Sequence, residues 1–336
     1  MDIVTLGELL VDMFPAELGR RLAEVTAFHP KPGGAPANVA VAAARLGAAA
    51  AFVGKVGDDA FGHHLIEVLK DEGVETRAMQ LDAEARTTMA FIAKPDAHTA
   101  EFVFYRNPGA DTRLRPEELD RALLQDARAF LFGSVSLTHE PTRSALLEAV
   151  RIARAAGALV GYDVNHRPSL WRAPQEAFDW AMKMIPQVHL VKVNEVELAL
   201  LSGEKEIDLS SGAEGALPQI EAAAKALLAH GPELVVVTLG RHGSYFQIGA
   251  GGAYLPPFPV ETVDAVGCGD AFIAALLTRL VLGVARGAWR SRLTVDGLRA
   301  ALRYANAAGA LTATIEGTIP ALPTTGQVEA FLAQQP

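Results

Sequence analysis

Short apolar runs alternate with stretches of helical period along almost the whole chain. Residues 3–6, 51–53, 129–132, 158–162, 189–191 and 234–238 are apolar without alternation, the pattern of strands buried on both faces. Residues 37–46, 61–72, 141–156, 195–201 and 219–230 carry apolar positions at helical spacing. Strand and helix in turn predict an α/β fold: a central, mostly parallel sheet with helices on both faces. In such sheets ligands bind beyond the carboxyl ends of the strands. Polar and glycine residues cluster there: Gly7 and Glu8, Gly54, Gly133, residues 163–167, Asn194 and Gly240.

One region breaks the rhythm. Residues 86–106 have no helical period, and 88–93 and 101–105 read as a hairpin about Pro95-Asp96-Ala97-His98. Residues 9–14 and 25–30 are further strand candidates. Together, segments of about 9–30 and 86–106 suggest a small β-strand lid inserted in a single α/β domain spanning 1–336; an ordinary edge hairpin has the same pattern. Residues 210–215 read as a polar loop and 285–291 as a basic surface loop.

Composition narrows the partners. The chain has 336 residues, half of them hydrophobic and 21% charged, enough for one large core or two. Its net charge of −9 argues against nucleic acid or an anionic membrane as partner. Cys268 is the lone cysteine, so no intrachain disulfide forms, which suits a reducing cytoplasm. No apolar stretch is of membrane-spanning length, the run at 271–282 being short and interrupted by Arg279.

The densest chemistry lies in Asp264-Ala265-Val266-Gly267-Cys268-Gly269-Asp270, followed at once by an apolar helical run. Gly267 and Gly269 permit a sharp turn, and the amides they leave open stand at a helix N-terminus, where an anion is favoured. Asp270 opens that helix. A carboxylate beside an anion hole is poor electrostatics for a resting site; it makes sense if it takes a proton from a hydroxyl that then attacks phosphorus. A plain turn with a capping Asp fits the same letters. Gly33-Gly34-Ala35-Pro36-Ala37-Asn38 allows close backbone approach, and Asn38 offers both donor and acceptor, although Pro36 also suits a simple helix start. Residues 54–62 read as a strand-to-helix connection with Asp capping. In Asp163-Val164-Asn165-His166-Arg167, Arg167 is a candidate phosphate clamp, and a surface loop is the other reading. Asn194 and Glu197, three apart, would order water around Mg²⁺ or simply cap a helix. Thr238, Gly240 and Gly243 form a glycine-flanked turn after a strand, a candidate phosphate cradle. Neither a Walker A sequence nor a dinucleotide glycine fingerprint is present, and His63 and His64 have no metal-ligand spacing.

Together these patches resemble the ribokinase-type (PfkB) carbohydrate kinases, in family order from Gly7 to Pro320. Gly33 to Ala40 with Leu46-Gly47 and residues 54–62, and Asp264 to Asp270, are the most specific matches. Within the family, Gly7 to Asp12, Phe104 to Asp111 and Asp163 to Arg167 with Leu170-Trp171 are most similar to fructokinases. The resemblance implies a ribokinase-like fold and ATP-dependent phosphorylation of a sugar hydroxymethyl, most simply fructose to fructose 6-phosphate. It implies Asp270 as base, with the amides of Gly267, Cys268 and Gly269 as anion hole. Asp12, Gly33, Gly34 and Asn38 would hold sugar hydroxyls, Arg106 would reach in from the lid, and Arg167 would lie near the transferred phosphate. Asn194, Thr238, Gly240, Gly243 and Asn306 would serve the nucleotide, Glu197 would place Mg²⁺ through water, and Asp264 would help ligate K⁺. It also implies a homodimer paired through the lid.

The chain departs from the family pattern at two places. Val266 stands where a threonine is usual, removing a hydroxyl near the K⁺ position. Cys268 replaces a small apolar residue, and a thiol at a helix N-terminus is expected to have a lowered pKa and to react with alkylators. A kinase for 2-keto-3-deoxygluconate, ribose or a nucleoside would use the same machinery. A non-catalytic sugar- or nucleotide-binding regulator would keep the fold.

Overall fold

Strand β1 (Ile3–Leu6) is buried at every position, yet its side chains divide: Ile3 joins one apolar cluster, Val4 and Leu6 another. A strand that feeds two cores needs cover on both faces, as the unbroken apolar runs require. The computed structural model describes residues 1–17, 19–93, 101–210 and 212–335. The remaining strands are β2 (Leu10–Pro15), β3 (Phe28–Gly33), β4 (Ala50–Gly57), β5 (Met79–Asp82), β6 (Met89–Ala93), β7 (Glu101–Tyr105), β8 (Ala129–Gly133), β9 (Leu159–Asp163), β10 (Leu190–Asn194), β11 (Leu234–Thr238), β12 (Ser244–Ile248) and β13 (Gly251–Leu255). The helices are α1 (Ala35–Arg45), α2 (Ala60–Asp71), α3 (Arg121–Asp126), α4 (Thr142–Ala155), α5 (Pro174–Met184), α6 (Glu195–Ser202), α7 (Ala213–Leu228), α8 (Cys268–Val281), α9 (Val295–Thr312) and α10 (Thr325–Ala333).

Among the described residues the main sheet has nine strands in the order β13-β12-β11-β10-β9-β8-β1-β4-β5. All pair in parallel except β12 and β13, which close one edge as an antiparallel meander. One face is covered by α1, α2, α8 and α9, the other by α3, α4, α6 and α7. β1 lies between β4 and β8, so the chain reverses its direction of travel across the sheet there, and the polar loops after β1, β9 and β10 open at one end.

A second sheet, β3-β2-β6-β7, stands apart from the first. β2 pairs antiparallel with β3 and parallel with β6, and β6 with β7 forms the antiparallel pair expected from residues 88–105. The expected turn at 95–98 lies outside the described residues. This sheet is the small lid foreseen from the pattern.

Some local expectations are corrected. Residues 213–215 begin α7 instead of ending a loop; Gly215 and Pro218 inside the helix disguise its start. The segment at 285–291 runs into a 3₁₀ turn, Ala288–Arg292, whose Trp289 is buried. Gly54 lies within β4 and not after it. The capping reading of residues 54–62 holds: Asp59 Oδ1 accepts the Gly62 N–H at 2.9 Å. Among the described residues no helix is long and apolar enough to cross a membrane.

Candidate active site

Gly267 has φ +84, a left-handed conformation that glycine adopts without strain, and a Cβ there would press on Thr318. It caps α8, whose first turn carries Gly269 and Asp270. The N–H groups of Gly269 and Asp270 have no acceptor among the described residues, while that of Cys268 makes a long bond to the Ala265 carbonyl at 3.4 Å. Of the three amides implied for the anion hole, that of Gly269 is therefore open and that of Cys268 is turned on its own loop, while the Asp270 amide adds an open donor that was not expected.

This turn divides two cavities. One, of about 270 Å³, is covered by the lid and lined by Asp12, Gly34, Asn38, Arg106, Arg167, Gly267, Gly269 and Asp270, together with Glu8, Asp163 and Lys192. The other, of about 690 Å³, is lined by Asn194, Thr238, Gly240, Gly243 and Asn306, with Cys268, Gly269 and apolar Phe258, Val260 and Phe272. Ala265 and Gly269 line both. Each volume is on the scale of a small molecule, not of a macromolecule.

In the lid-side cavity Asp270 is buried, and Asn38 Nδ2 donates to its Oδ2 at 2.8 Å. Burial raises its pKa to about 7; the Asn38 bond, Lys192 and Arg167 pull it down, and Asp163 pushes it up. Asp12 is likewise raised to about 7 by burial, with Arg167 opposing and Asp270 reinforcing. Gly33 does not line the cavity. It sits behind Asp12, where a Cβ would overlap that carboxylate, so its role here is to seat Asp12. Gly34, with φ +107, brings its backbone against the Glu8 carbonyl.

Arg106, just after β7, lines the cavity as expected, and it is held fast there. Its Nε donates to Asp111 at 2.7 Å, and its other nitrogens donate to Thr138 Oγ1 at 2.8 Å and the Val135 carbonyl at 3.3 Å. Asp111 is fixed in turn by Thr88 Oγ1 at 2.6 Å. Among the described residues Arg167 is held only by carbonyls of its own loop, Asn165 at 3.4 Å and His166 at 3.3 Å. Its charge is the more available one.

Lys192 was not singled out from the sequence. It lies in the middle of β10, in register with Asp163 on β9, and its Nζ donates to both Asp163 oxygens at 2.9 and 3.0 Å. Burial alone would depress the ammonium, but Asp163 and Glu197 outweigh it and the pKa is raised. The Nζ stands 3.4 Å from where a Gly269 Cβ would be, so a buried cation lies beside the α8 turn.

On the other side, Asn194 and Glu197 form a reciprocal cap of α6: Asn194 Oδ1 accepts Glu197 N–H at 2.8 Å, and Glu197 Oε2 accepts Asn194 N–H at 2.9 Å. Glu197 Oε1 accepts His166 N–H at 2.7 Å. Glu197 lines neither cavity, so the helix-cap reading describes its local structure. Asp264 is also engaged, its oxygens accepting Val266 N–H and Gly317 N–H, each at 3.2 Å. Among the described residues there is no cluster of three or more His, Cys, Asp or Glu fit to hold a metal alone. Asn306 Nδ2 donates to the Pro256 carbonyl at 3.2 Å, leaving its own oxygen for the cavity. Gly243, at φ +89, packs against the Leu255 carbonyl and fixes the turn after β11.

The family's profile, that of the pfkB family carbohydrate kinases, matches residues 1–325. The chain belongs to this family. A probable fructokinase-2 of Arabidopsis thaliana is 42% identical over 99% of this chain and 96% of its own. A crystal structure of fructokinase with bound ATP from Xylella fastidiosa superposes with a TM-score of 0.87 at 32% identity, covering 99% of this chain and 98% of its own. A double mutant of the Vibrio cholerae O395 fructokinase, in fructose, ADP and potassium ion bound form, gives a TM-score of 0.83 at 30% identity over 99% and 98% of the two chains. The two-cavity layout of this pfkB kinase therefore occurs on the same fold as proteins crystallised with a sugar and with nucleotides.

The expectation of a reactive thiol in this kinase is corrected. Burial, then Asp270 and Asp264, push the Cys268 pKa up to about 12, overriding the helix N-terminus. In the folded protein at neutral pH, iodoacetamide should label Cys268 far more slowly than after denaturation; mass spectrometry of the labelled peptide reads this. Equal rates in both states would restore the reactive thiol.

Proposed function

We propose that this protein is an ATP-dependent fructokinase, with the sugar in the lid-side cavity and ATP in the larger one. The carrying observation is that the two cavities meet at Ala265 and Gly269, with Asp270 on the sugar side of the junction. A hydroxymethyl beside Asp270 faces the phosphate end of a nucleotide across a single helix terminus. Asp270 takes the hydroxyl proton as the oxygen attacks the γ-phosphorus. The open amides of the α8 turn, with Lys192 and Arg167, oppose the charge that builds on the phosphoryl oxygens. Such a transfer needs chiefly positioning and electrostatics. Asp12, Asn38 and the Gly34 backbone hold hydroxyls, Gly33 acts through Asp12, and Arg106 with Asp111 forms a fixed wall. Thr238, Gly240 and Gly243 receive phosphates, and Asn306 lies with the apolar residues that suit a base.

Mg²⁺ would come with the ATP phosphates, neutralising charge there. Asn194 and Glu197 fit it only through water, since both are already bonded to backbone amides. Asp264 fits K⁺ only alongside the backbone amides of Val266 and Gly317 that its oxygens already accept. Tyr105, 67% exposed, and Val103, 43% exposed, put apolar surface on the lid, which supports pairing through it in a homodimer. The lone cysteine supports a cytoplasmic setting.

The test is ADP release with Mg-ATP against a panel of sugars and nucleosides, with and without K⁺. Fructose should give the highest kcat/KM. Preference for another acceptor would retain the kinase and overturn the sugar. Because Asp270 must be ionised to accept a proton and its pKa is raised to about 7, activity should be lost as pH falls through that value. The logarithm of kcat/KM for the sugar should rise with pH below about 7 and level above it. A profile flat from about pH 5.5 to 8 would remove Asp270 as base.

A further inference from the structure

Few buried side-chain polar atoms in the described residues lack a hydrogen-bond partner, and two of them line the lid-side cavity: Asn38 Oδ1 and Glu8 Oε2. Asn38 is accounted for by the hydroxyl contact proposed for it. Glu8 lies in the family-like segment Gly7 to Asp12, but no step of the mechanism above uses it.

Its position is built with care. Glu8 follows β1 at the point where the sheet order reverses, and is 5% exposed. One carboxyl oxygen, Oε1, accepts the Ala35 N–H at 3.2 Å at the start of α1. Its carbonyl abuts Gly34, whose left-handed backbone makes room for it. The side chain is thus fixed at one oxygen while the other is left bare. A buried carboxyl oxygen without a partner is costly, and a folded protein keeps one where something else completes it. Neighbouring groups do not: Arg106 is spent on Asp111, Thr138 and the Val135 carbonyl.

We infer that Glu8 is a specificity-determining residue, its Oε2 gripping one hydroxyl of the acceptor sugar. Lining the same cavity as Asp12, Asn38 and Asp270, it adds a contact from the strand end at the switch point of the sheet. Burial holds its pKa near 7, against the pull of Arg106 and Arg167, so the carboxyl can both give and take a hydrogen bond around neutrality. A site built to bond a hydroxyl rejects an analogue without it far more strongly than an apolar wall would.

The inference rests on the fructokinase reading, and the experiment separates the two. Wild type, Glu8→Gln and Glu8→Ala are assayed with fructose and with each monodeoxyfructose that keeps the acceptor 6-hydroxyl, at saturating Mg-ATP, and the KM for ATP is taken separately at saturating fructose. In Glu8→Gln the amide oxygen still accepts from Ala35, so the fold is kept. With fructose, KM should rise at least tenfold in Glu8→Ala and less in Glu8→Gln, with kcat within about threefold and the KM for ATP unchanged. One deoxy sugar should be poor with wild type and no poorer with Glu8→Ala, marking the hydroxyl that Glu8 holds. Equal losses with every sugar, or a fall in kcat alone, would make Glu8 a structural residue and overturn the inference. If wild type prefers a different acceptor, the fructose reading fails, and the same cycle with deoxy forms of that acceptor decides Glu8.

Discussion

Asp270→Asn should fold, bind ATP and phosphorylate sugar about 10²–10⁴ times more slowly than wild type. The substitution is isosteric. An amide oxygen can still accept from Asn38 Nδ2, which approaches Asp270 at 2.8 Å, so the first turn of α8 stays in place. What vanishes is the capacity to accept a proton. The NH₂ group then stands where the sugar hydroxyl must deliver its hydrogen, which opposes the attack it formerly assisted. Stability should not suffer, because wild type holds there a buried carboxylate whose raised pKa records an unfavourable charge. ATP affinity by calorimetry and the single-turnover rate with fructose separate binding from chemistry. A variant within tenfold of the wild-type rate would show that the hydroxyl loses its proton elsewhere.

Lys192→Met should be the most damaging substitution for stability in the site. It removes the ammonium from a pair buried on both sides, Lys192 and Asp163 each being 7% exposed in the side chain. The Asp163 carboxylate would then be left in the sheet without its counter-ion, a loss of about 3–5 kcal/mol for a pair of this kind. Denaturant unfolding reads that change. Lys192→Met with Asp163→Asn should recover part of it, since the orphaned charge is gone as well. The double variant should remain slow, because the cation beside Gly269 is still missing. A single variant as stable as wild type would mean that Asp163 finds another partner.

That pair also shows what a linear reading can and cannot reach. Lys192 interrupts an apolar strand, and by itself a lysine there looks like a strand end. Asp163 lies 29 residues earlier, at the end of another strand. Their meeting depends on β9 and β10 being neighbours in register, a fact of topology that no local pattern carries. The β/α alternation was legible because burial on two faces imposes unbroken apolar runs, and the lid because its residues fail the helical period. The glycine turn before α8 was legible because left-handed backbone limits the residue choice. α3, α5, α9 and α10 were not assigned; around Asn306 the motif drew attention to one residue and not to the 18-residue helix that carries it. Arg106 was expected to reach in from the lid, but not the anchor that fixes it: its partner Asp111 is five residues on, and only the folded loop turns the two together. The thiol of Cys268 was misjudged because a helix terminus is visible in sequence and burial is not.

The sugar-side lining is drawn from residues 8–192 and the nucleotide-side lining from 194–313, save for residues 265–270 on α8 and the turn before it. With sugar and ATP placed as proposed, acceptor choice and donor choice are written in separate stretches of the gene. Changes in the first stretch can retune which sugar is taken without redrawing the nucleotide cavity. A chimera joined between Lys192 and Asn194 should exchange acceptors while inheriting one donor, provided the two parts match at the α8 turn and also where α1 packs on α8 and β10 pairs with β11.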